Sequence, residues 1–122
     1  MLIVSLLLNI AVLIPVSLVL IRQGHPATYA WGVRTAGRDI LLAIYLSILL
    51  VSCALLAGVA VSGATPLLET AAASLLIVQI IYKVLTVITV RHSLRNPVAL
   101  SNLGIAAVHA VTVATLVPAL LA

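Results

Sequence analysis

Between residues 40 and 61 the chain reads ILLAIYLSILLVSCALLAGVAV, a run without one charged side chain. A helix needs about 20 predominantly apolar residues to cross the roughly 30 Å of hydrocarbon in a bilayer, and this run is long enough. Three further runs of the same character lie at about residues 2–21, 67–90 and 98–122. Backbone in lipid must satisfy its own hydrogen bonds, which favours helices for runs of this length. The sequence therefore predicts an all-α integral membrane bundle of four transmembrane helices, in a single domain.

The amino-acid composition excludes an ordinary soluble domain. Of the 122 residues, 65% are hydrophobic and 7% are charged, whereas soluble proteins average about 45–50% apolar and about 25% charged residues. With so few charged side chains, the chain cannot cover its surface with groups that water solvates, but its helices can face hydrocarbon. The lipid bilayer is therefore the first predicted partner.

Two of the predicted helix starts carry local capping signals. Thr65 precedes Pro66, and Asn96 precedes Pro97. A Thr or Asn side chain at the N-cap accepts a hydrogen bond from a free N–H of the first turn. Proline is favoured at the first helical position because its missing N–H would be unpaired there. These pairs predict the starts of the third and fourth long helices.

Arginines are confined to two of the three connections. The first and third connections carry all of them, whereas the second, residues 62–65, carries none. Since positively charged short loops stay in the cytoplasm, we expect both termini on the outer face. The residues predicted to contact the membrane surface on the cytoplasmic side are Arg22, Trp31, Arg34, Arg38, Arg91 and Arg95. A nucleic-acid partner is not expected, because the arginines are few and divided between two loops.

The first connection, residues 22–39, differs from the other two in its length. The short connections predict antiparallel packing of the helices that they join. Long irregular loops carry function more often than short ones. Two interpretations stay open for this loop: a plain surface linker, or a segment that reaches across the bundle or lies in the membrane interface.

Polar side chains inside the spans are the second distinctive feature. Lys83 and His109 are ionisable groups deep in the third and fourth long helices. An ionisable group near the centre of a membrane helix costs at least about 2.5 kcal/mol and normally faces the bundle interior. We predict a polar seam that opens toward the cytoplasm and consists of Asp39, Tyr45, Gln79, Tyr82, Lys83, Asn102 and His109.

The predicted seam has two interpretations. In the first it is structural: Lys83 reaches Asp39 as an ion pair, and nearby amide and hydroxyl groups add hydrogen bonds between helices. In the second it is a proton or solute path, in which His109 titrates and Lys83 is a fixed or switchable charge. Neither interpretation requires catalysis.

Small residues recur at every fourth position on two helices. Small side chains let helix backbones approach closely, which favours association in lipid. The residues predicted to mediate helix packing are Ala54, Gly58, Ser62, Ala106, Ala110 and Ala114. The pattern leaves open whether they face the same chain or another copy of it.

No motif for catalysis or cofactor binding accompanies these residues. His92 lies at a helix end and His109 about 18 Å deeper by helix rise, so the two cannot ligate one haem. Zinc ligands are too few, and neither a glycine-rich phosphate loop nor a nucleophile beside a base is present. We therefore predict no catalytic residue, no metal site and no cofactor. We expect that the protein is not an enzyme, unless an oligomer assembles an active site from several chains.

Two segments carry a resemblance to known proteins. Residues 34–41 read RTAGRDIL and residues 95–102 read RNPVALSN. With these segments the chain resembles a group of small uncharacterised four-helix bacterial membrane proteins, over most of its length. The resemblance implies a multi-pass protein of the bacterial inner membrane, and it implies no activity.

Three functions remain open at this point. The first is a non-catalytic helical module that acts as a subunit, assembly factor or scaffold of a larger membrane complex, with other subunits or copies of itself as partners. The second is a small homo-oligomeric channel or transporter that uses the polar seam. The third is binding of a lipid, quinone or pigment in a groove between helices.

Overall fold

The computed structural model describes all 122 residues, and it consists of helices without a strand. Four long helices and one short one follow each other along the chain. A single turn of 3-10 helix at Ser93–Arg95 precedes the last long helix. The helices are α1 (Leu2–Arg22), α2 (His25–Trp31), α3 (Ala36–Ser62), α4 (Pro66–Thr89) and α5 (Pro97–Leu121).

Helices α4 and α5 begin at the capping residues that the sequence predicts. Thr65 Oγ1 accepts a hydrogen bond from the N–H of Leu68 at 3.3 Å, which caps α4. Asn96 Oδ1 accepts hydrogen bonds from the N–H groups of Val98 and Ala99 at 2.9 and 3.3 Å, which caps α5. Both capping predictions are confirmed. Helix α3 begins earlier than predicted, at Ala36 instead of residue 40, because Thr35 caps it.

The four long helices α1, α3, α4 and α5 are each long and apolar enough to cross a membrane. Only 22% to 33% of the most apolar stretch of each is buried inside the protein, so most of each helix presents its side chains outward. The outward side chains include Ile14, Leu18 and Leu103. A continuous apolar surface of this kind suits lipid and not water. The fold is that of a multi-pass membrane protein.

The long helices pack as two close pairs. Helix α1 lies along α3, and α4 lies along α5. Helices α3 and α4 touch over a smaller area, although only residues 63–65 separate them. One apolar core, around Leu6, Leu55 and Ala72, joins the two pairs. A second, around Leu13 and Tyr45, packs α1, α2 and α3 together.

Helix α2 lies inside the connection that we predicted as an irregular loop. Gly24 precedes the helix, Pro26 lies in its first turn, and Gly32 ends it with a φ of 79°. Its last residues are bonded to two long helices. Asn96 Nδ2 donates to the carbonyl of Ala30 at 3.2 Å, and Arg38 Nη1 donates to the carbonyl of Gly32 at 2.6 Å. The first connection is therefore a folded segment fixed to the starts of α3 and α5.

Candidate functional site

The residues of the predicted polar seam separate into two clusters in the structure. His109 lies with side chains of α1, beside the N-terminal half of that helix. Lys83 and Asn102 lie together nearer to α2. Since His109 and Asn102 are seven residues apart, about 10 Å of α5 separates the two clusters. The two clusters differ in how fully their polar atoms are paired.

The first cluster, the His109 network, joins three helices and consists of Ser5, Asn9, Ser52, His109 and Thr112. His109 has no exposed surface. Its Nδ1 lies 3.0 Å from Ser5 Oγ, and its Nε2 lies 3.0 Å from Asn9 Oδ1. Asn9 Nδ2 donates to Ser52 Oγ at 3.0 Å, and Ser5 Oγ lies 2.8 Å from Thr112 Oγ1. The network thus connects α1, α3 and α5.

The hydrogen bonds of the His109 network are compatible with a neutral imidazole. The Asn9 amide nitrogen donates to Ser52, which leaves Asn9 Oδ1 to accept from the N–H at Nε2 of His109. In that form the other ring nitrogen, Nδ1, accepts from the hydroxyl of Ser5, and Ser5 accepts from Thr112. A neutral imidazole has one donor and one acceptor nitrogen, and both are used here. The side-chain polar atoms of His109 and Asn9 all have protein partners, which suits a structural role.

Lys83 does not form the predicted ion pair with Asp39. Its Nζ donates to Asn102 Oδ1 at 3.1 Å and lies 4.9 Å from the ring centroid of Tyr82. Asp39 instead pairs with Arg34, whose Nε lies 3.1 Å from Oδ1 of the carboxylate, and both side chains are exposed. Arg34 is five residues from Asp39 in the chain, so this pair forms locally at the start of α3.

The chain has no other acid that reaches Lys83. It contains two acidic residues in all, and the second, Glu69, lies in the first turn of α4. Fourteen residues of the same helix separate Glu69 from Lys83, which is about 21 Å. Lys83 is 4% exposed, so it is a buried cation whose one hydrogen-bond partner is a neutral amide.

A cavity of about 400 Å³ adjoins Lys83. We call it the Lys83 cavity. It lies between α1 and α5, with α2 along one side, and its wall is mostly apolar. The lining residues are Val12, Leu13, Pro15, Val16, Val19, Pro26, Tyr29, Ala30, Trp31, Tyr45, Lys83, Pro97, Val98, Ser101, Asn102 and Ile105.

A second cavity of about 440 Å³ shares part of this wall. Trp31 and Tyr45 line both cavities, and Tyr82 lines the second one. Four buried polar atoms have no hydrogen-bond partner: Ser17 Oγ, Trp31 Nε1, Gln79 Nε2 and Tyr82 Oη. Each of them can donate a hydrogen bond. Of these four residues, Trp31 and Tyr82 line the cavities, and Ser17 and Gln79 line neither.

Two of the predicted membrane-surface residues lie inside the protein. Arg38 is 6% exposed because it binds the Gly32 carbonyl beneath α2. Trp31 is half-buried and lines both cavities. The burial of Arg38 argues against its contact with the membrane surface, and the assignment of Trp31 stays a prediction. The other four, Arg22, Arg34, Arg91 and Arg95, are exposed at the end of the bundle that carries α2.

The small residues predicted to mediate packing are divided between inward and outward positions. Ala106 is buried, and Gly58 is half-buried. A Cβ added to Gly58 would lie 3.0 Å from Leu68 of α4, so this glycine allows α3 and α4 to approach closely. The remaining four, Ala54, Ser62, Ala110 and Ala114, are exposed. Their side chains do not pack within this chain.

The sequence did not single out Ser52 or assemble the His109 network. One signal was available on α1: Ser5, Asn9, Leu13 and Ser17 follow each other at intervals of four and are all buried. That spacing places them on one helix face. It does not say which helix the face contacts, because this depends on how α1 and α5 are aligned in three dimensions.

Comparisons with known proteins add nothing to this geometry. The chain matches no protein-family profile, no curated protein sequence and no solved structure. The function therefore has to be argued from the chemistry of the Lys83 cavity itself.

Proposed function

We propose that the protein binds a hydrophobic molecule with one polar end in the Lys83 cavity, within the membrane. The observation that carries the proposal is the cavity itself, about 400 Å³ of mostly apolar space with Lys83 and Asn102 in its wall. Ligand sites are typically cavities of about 300–1,000 Å³ with mainly apolar walls and a few polar groups that orient the ligand. The Lys83 cavity has these properties.

The position of the cavity favours a ligand that comes from the bilayer. Lys83 lies six residues before the end of α4 at Thr89, which is about 9 Å of helix. The lining of α1 and α5 consists largely of Val, Leu, Ile and Pro side chains. A water-soluble ligand would lose its hydration there without replacement, whereas a lipid-like chain would not.

Fluorescence of Trp31 tests the proposal, because Trp31 is the single tryptophan of the chain and lines the cavity. Long-chain molecules that carry bromine atoms quench tryptophan on contact. We expect saturable quenching when a dibrominated stearic acid or the corresponding dibrominated alcohol is added in bilayers. A cavity-filling Ile105→Phe substitution should abolish the saturable part, and the control Leu103→Phe, at an exposed position of the same helix, should not. Quenching that rises linearly and equally in all three proteins would contradict the proposal.

A second candidate is a subunit or scaffold of a larger membrane complex, with other subunits or copies of this chain as partners. It is favoured by the outward position of Ala54, Ser62, Ala110 and Ala114, since small residues allow close approach of another helix. Purification in a mild detergent should recover stoichiometric partners or an oligomer. Recovery of a monomer alone, from the native membrane, would count against this candidate.

The channel or transporter proposal has less support. It uses a seam that runs through Asp39, Lys83 and His109, but these residues lie in separate hydrogen-bonded groups. Proteoliposome flux tests it. If the protein conducts a solute and His109→Leu abolishes this flux without unfolding the protein, the transport proposal is supported. If the protein conducts no solute, the transport proposal is contradicted.

We propose that the protein lies in a bacterial inner membrane with both termini on the outer face. The four exposed arginines at the α2 end support this orientation, since cytoplasmic loops are rich in Arg and Lys. Anionic lipid headgroups, and not nucleic acid, are the partners that suit these arginines. After Cys53→Ala, single cysteines at Ala64 and Ser93 test the orientation with a membrane-impermeant maleimide. In intact cells we expect labelling of the cysteine at position 64 alone. Labelling at position 93 alone would show that the termini lie on the cytoplasmic face.

A further inference from the structure

We propose that the Lys83 cavity is a carboxylate site, and that its ligand is a single-chain amphiphile of the fatty-acid class. The inference rests on the proposed binding function and specifies the chemistry of the ligand. In this arrangement the carboxylate lies at Lys83 and Trp31, and the chain extends along the apolar wall formed by α1 and α5.

The first argument is the charge balance inside the bundle. A cation that is taken out of water needs a paired anion or a dense set of hydrogen bonds. Lys83 has one hydrogen bond, to the amide oxygen of Asn102. Asp39 is held by Arg34 at the surface, and Glu69 lies near the opposite end of α4. If Lys83 is charged, the anion that neutralises it therefore comes from outside the chain.

The second argument is the type of polar atom that is free at the cavity wall. The Lys83 ammonium has three donors and no acceptor, and the indole of Trp31 has one donor. One Lys83 donor is used by Asn102, which leaves two. Nε1 of Trp31 is buried without a hydrogen bond of good geometry and lies toward the hydroxyl of Tyr45, so the indole must turn for a ligand to reach it. An ionised carboxylate consists only of acceptors, with two oxygens. It matches these donors in both hydrogen bonding and charge, whereas a quinone carbonyl or an alcohol matches the hydrogen bonding alone.

The third argument is the depth and shape of the site. On α5 the lining runs from Pro97 to Ile105, which is about 12 Å of helix, and on α1 it includes Val12 and Val16. A small head group reaches Lys83 inside such an apolar wall more readily than a glycerophosphate that carries two chains. The site therefore suits a free carboxylate with one chain better than the phosphate of a phospholipid.

The test compares ligands that differ only in the head group, with Trp31 fluorescence as the readout. The probes are dibromostearic acid, dibromostearyl alcohol and a phosphatidic acid with brominated chains, added to the full protein in neutral bilayers. We expect the acid to bind more tightly than the alcohol by about tenfold or more, because a hydrogen bond to a charged group is a strong one. Lys83→Met, which keeps an unbranched side chain of nearly the same length and removes its charge, should abolish this preference. The same substitution should leave binding of the alcohol in place.

A second measurement needs no substitution. Lys83 is the single lysine of the chain, so reductive methylation with ¹³C-formaldehyde labels it together with the N-terminal amine only. The dimethylammonium keeps the positive charge of Lys83 and one of its three N–H donors, so the signal reports mainly on the charge. We expect the ¹³C signal of Lys83 to shift on addition of oleate and to stay unchanged with oleyl alcohol. The N-terminal signal serves as the internal control.

The outcomes separate this inference from the proposed function. Equal binding of acid and alcohol, with and without Lys83, would overturn the carboxylate assignment and leave a hydrophobic ligand site. Tighter binding of phosphatidic acid than of the fatty acid would overturn it in favour of a phosphate. Absence of saturable binding for every probe would overturn both proposals.

Discussion

Nε2 of His109 lies 3.0 Å from Oδ1 of Asn9, and this hydrogen bond joins α5 to α1 inside the bundle. The two residues are 100 positions apart in the chain. Through Asn9 Nδ2, the same amide also reaches Ser52 of α3 at 3.0 Å. Asn9 is thus the residue through which the His109 network connects three helices.

Replacement of Asn9 by Leu should destabilise the protein. The substitution leaves Nε2 of His109 buried without an acceptor, and an unsatisfied buried polar group costs about 1–3 kcal/mol. The free energy of unfolding, measured in detergent micelles or bicelles, should fall by about 1–2 kcal/mol, the upper range seen for hydrogen bonds between membrane helices. Ser47→Ala is the control, because Ser47 is exposed and bonds only the carbonyl of Ala43 in its own helix.

The double variant Asn9→Leu/His109→Leu tests whether the loss comes from an unpaired partner. When both partners become apolar, no polar group is left without a partner, and such replacements are nearly neutral when the shape is kept. We expect the double variant to be more stable than the sum of the two single effects predicts. Strict additivity would indicate that the hydrogen bond contributes little.

The helices and their ends were predictable because their determinants are local. Runs of apolar residues set the four long helices, and Thr65 and Asn96 cap α4 and α5 as expected. Helix α2 has a local signal as well, since Pro26 in its first turn and Gly32 just after its end follow the usual asymmetry of proline and glycine. With only seven residues, it is too short to show a clear hydrophobic period.

The composition of the buried polar clusters was predictable only in part. Burial of Lys83, Gln79, Asn102 and His109 follows from the cost of polar groups in lipid. Their partners do not follow, because Ser5 and Thr112 are 107 residues apart and only the three-dimensional alignment of α1 with α5 brings them together. The predicted ion pair between Lys83 and Asp39 does not form, because Asp39 pairs with Arg34, which is five residues away in the chain.

Asn96→Ala should loosen α2 and destabilise α5 together. The substitution removes the cap of α5, which is worth about 0.5–2 kcal/mol, and the bond to the Ala30 carbonyl. We expect faster amide hydrogen exchange in residues 25–31 and lower thermal stability. Thr65→Ala removes a comparable cap from α4 and should leave exchange in α2 unchanged. Equal exchange of α2 in the two variants would show that Asn96 does not hold this helix.

Two glycine substitutions should have opposite effects. Gly32 has φ 79° and ψ −176°, a region that residues with a side chain occupy at a cost of about 1–3 kcal/mol. Gly104 is helical, and a Cβ there meets no atom within 4 Å, so alanine should favour the helix by up to about 1 kcal/mol. Thermal unfolding should show Gly32→Ala below the wild type and Gly104→Ala at or above it.

Asp39→Asn distinguishes the observed surface pair from the ion pair predicted with Lys83. Both members of the Arg34 pair are exposed, at 55% and 47%, and exposed ion pairs contribute about 0–1 kcal/mol. Stability should therefore change by less than about 1 kcal/mol, and the ¹³C signal of methylated Lys83 should not shift. A clear shift of that signal would indicate that Asp39 does reach Lys83.

Photo-crosslinking tests the central claim, that the Lys83 cavity holds a fatty-acid-like ligand, most directly. A fatty acid with a diazirine in its chain is irradiated with the protein in bilayers, and the modified residues are located by mass spectrometry. Val16 and Ile105 line the cavity, while Leu18 and Leu103 on the same helices are exposed and report on bulk lipid. We predict adducts at Val16 and Ile105 that excess oleate removes, with adducts at Leu18 and Leu103 unaffected by it. Adducts at Leu18 and Leu103 alone would contradict the account. So would an equal loss of adducts, on addition of oleate, at the cavity residues and at the exposed residues.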